Sequence, residues 1–119
     1  MTLKEALNPL LMLDGLVTLA VLAEDGLPIE VVGYDNSDAF AAELVTVANT
    51  ARQGFQALEL GPASRVCVSI EDLEAIIVPL EAHVLVAVFE RKDSAAALQL
   101  IDKTKAQLER ALGATYELS

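Results

Sequence analysis

The 119-residue sequence predicts an α+β domain with the element order α-ββ-α-βββ-α, and three observations carry that reading. Two unbroken apolar runs, residues 16–23 and 83–89, are too short for typical helices and rich in Val and Leu, as strands buried on both faces are. Two longer stretches, about 38–58 and 94–112, repeat apolar residues at spacings of three and four, as helices lying on a sheet do. Shorter runs bounded by turn residues fill the space between them.

The opening Thr2-Leu3-Lys4-Glu5 is a capping box, so a first helix starts there, with Leu3, Ala6, Leu7, Leu10 and Leu11 on one side. Pro9 removes a hydrogen bond and crowds the preceding turn, which predicts a kink or a break before Asp14-Gly15 ends the helix. The 16–23 strand should be central. Glu24-Asp25-Gly26 supplies hairpin chemistry and leads into a second strand over 27–32. Pro28 and Glu30 mark that strand as a protected edge, because proline cannot donate to a ladder and a charge discourages a further strand.

Turn residues at 34–38 precede the long middle helix. Phe40, Leu44, Val47, Ala51, Phe55 and Leu58 form the stripe expected to lie on the sheet. Ala41, Val45 and Ala48 form a second stripe, making the apolar surface wider than one sheet covers. After Gly61-Pro62, residues 64–70 alternate β-branched and small side chains as a strand does; 73–80 is a further strand, and 83–89 should again be central. The last helix carries Leu98, Ile101, Lys105, Leu108 and Leu112 on one side and is expected to stop at Gly113.

Composition narrows the function. Eight basic against 18 acidic residues give a net charge of -10, which repels phosphate backbones and anionic lipid, so nucleic acid is not expected as a partner. No apolar run approaches a membrane-spanning length and no signal-peptide pattern opens the chain, so neither membrane insertion nor secretion is expected. A single cysteine, Cys67, fits a reducing cytoplasmic setting. Cys67 is expected to act as a small hydrophobe, and His83, the one histidine, as an ordinary strand-end side chain. Neither finds partners for a catalytic constellation or a metal site, and the six glycines form no phosphate-binding loop, so an enzyme, a metal and a cofactor are all unexpected. The acidic pairs Glu24-Asp25 and Glu71-Asp72 are solvated turns.

One feature points to association. Residues 66–70 hold no charge, no proline and none of the devices that stop a sheet edge from recruiting another chain. Beside an uncovered helix stripe, such an edge predicts a homodimer; the alternative is that this strand is internal and a terminal helix covers the stripe. The expected interface comprises Ala41, Leu44, Val45, Ala48, Ala51 and Arg52 of the middle helix with Arg65, Val66, Cys67, Val68, Ser69 and Ile70.

Residues 13–29, and above all the turn Glu24-Asp25-Gly26-Leu27-Pro28, resemble the roadblock family, related to dynein light chains and to bacterial regulators of Ras-like GTPases. The Ala-rich middle helix, the Leu85-Val86-Ala87-Val88 strand and the closing helix agree in order, so the resemblance spans nearly the whole chain. It implies a five-stranded antiparallel sheet with the middle helix on one face and the terminal helices on the other. It also implies a dimer paired through the 65–70 strands with the middle helices side by side. Members are adaptors or regulators of small GTPases, often in bacterial polarity or motility systems, without an active site of their own. The functions this leaves are a dimeric module regulating a Ras-like GTPase, a structural scaffold without effect on hydrolysis, and a small-molecule sensor. Arg52, Arg65 and Arg91 are the candidates for an arginine finger.

Overall fold

A computed structural model describes residues 2–33, 37–61 and 63–117, with the side chains of 37, 38 and 114–117 left aside. The elements are α1 (Leu3–Leu11), β1 (Leu16–Ala23), β2 (Pro28–Gly33), α2 (Ser37–Ala57), β3 (Val66–Ile70), β4 (Leu73–Pro79), β5 (His83–Glu90) and α3 (Ser94–Glu117), with a 3-10 turn at Arg91–Asp93 leading into α3. The strands form one antiparallel sheet in the order β2-β1-β5-β4-β3. Both continuously apolar strands are interior, because a strand with side chains buried on both faces has no polar side to show to water.

Alternation along the strands divides the core in two. Leu19, Val21, Ile76, Val78, Leu85, Ala87 and Phe89 face α1 and α3, which also pack against each other. Ala20, Leu22, Ala75, Ile77, Val84, Val86 and Val88 face α2. α2 lies chiefly over β2, β1, β5 and β4, so β3 is left at the margin of its cover.

Pro9 does not break α1 into two pieces. Thr2 accepts from the Glu5 amide and the helix continues through Pro9 to Leu11. Pro9 sits in the last turn with Glu5 exposed, so the carbonyl that loses its partner faces water, where the cost is small. The hairpin after β1 is a three-residue loop: Ala23 pairs with Leu27, and Gly26, at φ +92°, takes the left-handed position. Asp25 Oδ1 accepts from the Leu27 amide at 3.1 Å and fixes the turn. Gly15, at φ +82°, is required twice over, since a Cβ there would run into the Asp93 carboxylate. The expected stop at Gly113 does not hold, because α3 continues to Glu117. Gly113 lies on the exposed side with open space around it, where a mid-helix glycine costs only about 1 kcal/mol.

Candidate functional site

The sheet has two outer strands, and they differ. β2 begins at Pro28, and its pairing with β1 shifts register between Val21 and Leu22, leaving Ile29 as an extra, bulged residue. Glu30 stands on the α1 side, where Lys4 Nζ approaches it to 4.0 Å. Proline, bulge and charge are three separate obstacles to another strand. β3 has none of them. It pairs with β4 without interruption, from Val66 opposite Ile77 to Ile70 opposite Leu73.

Along β3, Val66, Val68 and Ile70 point to the α2 side and are half-buried, while Cys67 and Ser69 point to the other side and are exposed. Ser69 Oγ donates to Glu74 Oε2 at 2.8 Å. Cys67 is exposed, as a residue of the open edge is expected to be: on an outer strand only one face is covered, and α1 and α3 do not reach over it. Withdrawal from water pushes its thiol above the ordinary value of 9.0, with Arg65 acting to lower it and Glu74 to raise it. The thiol is therefore a weak nucleophile at neutral pH.

Arginines hold both ends of β3. Arg65 Nη1 lies 3.4 Å from both carboxylate oxygens of Asp102 on α3. At the far end, the Arg91 amide donates to the Asp72 carbonyl at 2.7 Å, and the Arg91 guanidinium donates to the carbonyl of Glu71, a non-glycine residue at φ +53°. Two of the three candidate arginine fingers are thus engaged within the chain, and Arg52 lies half-buried on α2.

The sheet-facing surface of α2 takes Phe40 and Leu44 of the first stripe, as expected, together with the second stripe. Ala41, Leu44, Val45 and Ala48, expected at an interface, are buried against the sheet of their own chain. Small side chains sit there because they let the helix axis approach the sheet closely. Ala51 and Arg52 flank this face and are half-buried. Val47 and Phe55, expected on the sheet, are instead 49% and 39% exposed, and Leu58 and Leu60 follow at 69% each. Ala42, on the opposite flank, lies against Gly26 in the β1–β2 turn, so the exposed apolar flank is turned away from that hairpin.

The described residues contain no group of three His, Cys, Asp or Glu side chains placed to hold a metal ion, and no helix long and apolar enough to cross a membrane. An open cleft of about 440 Å³ lies between the β3–β4 turn and the start of the 3-10 turn, lined by Asp72, Leu73, Glu90, Arg91 and Lys92. Four of these five side chains are charged, unlike the apolar walls of typical small-molecule sites.

No protein-family model and no curated protein sequence matches the chain. Solved structures do. A roadblock/LC7 domain from Streptomyces avermitilis superposes with a TM-score of 0.78 at 18% identity, covering 100% of both chains. The chain has the roadblock/LC7 fold. The gliding protein MglB from Thermus thermophilus shares this roadblock arrangement with a TM-score of 0.79 at 14% identity, over 92% of this chain and 87% of MglB. An MglB described with a tetrameric arrangement gives 0.78 at 14% identity, over 92% and 86% of the two chains. The α-ββ-α-βββ-α order, the antiparallel sheet and the helices on both faces of the roadblock fold are therefore all present.

Proposed function

We propose that the chain is a non-catalytic, dimeric interaction module that binds a Ras-like small GTPase and regulates or localises it, in the manner of bacterial polarity and motility systems. The observation that carries this reading is the unobstructed β3 edge, on a sheet whose helix α2 also carries exposed apolar side chains, in a fold shared with MglB. An edge of five uncharged residues offers a second copy of the chain both backbone partners and apolar contact. The homodimer then presents its GTPase with two copies of each surface, and it acts by favouring one arrangement of the partner's switch loops. No cofactor is needed for that role.

The test is light scattering of the wild type and Val68→Lys, followed by GTP hydrolysis by a Ras-like GTPase with each protein added. The expected result is a wild-type mass near twice 12.6 kDa, a monomeric variant, and a change in hydrolysis that only the wild type produces. A monomeric wild type overturns the reading. A dimer that binds the GTPase and leaves hydrolysis unchanged selects the second reading, a scaffold that localises its partner.

A further inference from the structure

Among the described residues, the exposed large apolar side chains fall into two groups. Val47, Phe55, Leu58 and Leu60 lie on α2 and just after it. Met12, Leu27, Ile29 and Val32 lie on or beside β2 and at the C-cap of α1. β2 and β3 are opposite edges of the sheet, so an association through β3 leaves this second group uncovered.

The side chains of β2 that point to the α1 side include Glu30 and Val32, which stand opposite Val21 and Leu19 of the core beneath α1. α1 runs in the same direction as β2, because residues 12–15 lead from it into β1, whose first residues lie by the end of β2. Lys4 Nζ, 4.0 Å from Glu30, marks the flank of α1 that faces this strand, and Asn8 and Met12 follow Lys4 at one-turn spacing. Lys4, Glu5 and Asn8 line an open hollow of about 350 Å³ there. Val32 is 41% exposed and Met12 75%, so the far end of the groove between helix and strand is apolar and open to water. Its surroundings are acidic. Glu5 stands on its wall, Glu24 and Asp25 at one end beside Leu27, and Asp14 at the other, all exposed and outside any ion pair among the described residues.

We propose that the groove between α1 and β2 docks a basic amphipathic helix of a partner protein. Such a helix buries its apolar face on Met12 and Val32 and sets Lys or Arg side chains against Glu5, Asp14, Glu24 and Asp25. An extended strand does not serve here, because Pro28 lacks a donor, Ile29 is bulged and Glu30 is charged. A helix brings its own backbone hydrogen bonds and needs only side-chain contact. The span from Leu27 to Gly33 is about 20 Å, which a helix of about 13 residues matches. A second copy of this chain, at a net charge of -10, is repelled by the same carboxylates.

The test follows the isotope-labelled full chain by amide NMR while a peptide of about 14 residues, Leu and Lys arranged with helical period, is added at about 0.15 M salt. A peptide of the same composition in strict alternation controls for charge alone. The helical peptide is expected to shift the amides of Asn8, Met12 and Val32 and to bind at least about tenfold tighter than the alternating one. Met12→Ser with Val32→Ser is expected to weaken it at least about tenfold, and Phe55→Ser, in the other apolar group, by less than about twofold. The map of shifted amides in the wild type decides the site even if the double variant folds poorly. Equal binding of the two peptides reduces the attraction to charge and overturns the groove. So do shifts centred on α2 or β3, an equal loss in Phe55→Ser, or no binding up to about a millimolar of peptide. None of these outcomes depends on whether the chain is a dimer, so the groove and the dimer stand or fall separately.

Discussion

The two outer strands of this sheet present the same kind of liability and answer it in opposite ways. β2 starts with Pro28, is bulged at Ile29 and carries Glu30 within reach of Lys4. β3 runs in unbroken register with no charge between Val66 and Ile70, and its ends are tied by Arg65 to α3 and by Arg91 to the β3–β4 turn. An edge that is merely neglected would fray, because a five-residue strand with one neighbour has little to hold it. β3 is instead tied at both ends and left open. The difference teaches that exposure alone does not distinguish two edges; the guards on one and their absence on the other do.

The largest effect expected from this contrast comes from placing one charge on each edge in turn. Val68→Lys puts an ammonium under the α2 side of the proposed junction, and the dimer dissociation constant is expected to rise about a hundredfold or more. Ile29→Lys, on the guarded edge, is expected to leave it within about twofold, as surface substitutions usually do. Sedimentation velocity over a concentration series measures both. Equal effects from the two variants would remove the distinction between the edges.

A smaller effect belongs to the helix beside β3. Phe55→Asp on the exposed flank of α2 is expected to weaken the dimer about tenfold, as loss of an aromatic contact at an interface does, while Gln53→Asp serves as the control on the opposite flank. Both variants should melt close to the wild type. Unchanged association in Phe55→Asp would confine the junction to the strands.

How much of this was legible in the sequence varies with the physics involved. Every strand and helix was, because burial on two faces and burial on one leave different periodicities, and the guards on β2 were too, since Pro28 and Glu30 are guards whatever the fold. The working face of α2 was not. Apolar residues cover so much of its circumference that periodicity alone does not say which third meets the sheet, and hydrophobicity favours the larger side chains, Val47, Phe55 and Leu58, for that role. The sheet took the small ones, Ala41 and Ala48 with Leu44 and Val45, because close approach of helix to sheet depends on size.

Undoing the guard on β2 gives the next test. Pro28→Val combined with Glu30→Val restores a donor and removes a charge, and the variant is expected to associate beyond the dimer, weakly and with rising concentration. The bulge at Ile29 remains and limits the gain. Light scattering that shows only the wild-type mass at the highest concentration would mean that the bulge alone suffices to guard the edge.

The smallest effect sits on Cys67 and reports on the open edge directly. Its thiol is raised above 9.0, chiefly because the folded chain withdraws it from water, so the native state holds the proton more tightly than the unfolded chain does. The sign follows. Stability from this group is fully present below the unfolded value and declines as pH rises through the folded one, because only then does the native state have to carry a thiolate partly withdrawn from water. Alkylation by iodoacetamide is accordingly expected to be slower in the folded protein than in urea at neutral pH, with the two rates converging as pH passes above the folded value. Dilution adds the discriminating step, since a second copy paired along β3 covers Cys67 and a lone copy leaves it exposed. The folded rate should therefore rise as the protein is diluted through the dimer dissociation constant, and a rate independent of concentration would place Cys67, and the strand that carries it, outside the junction.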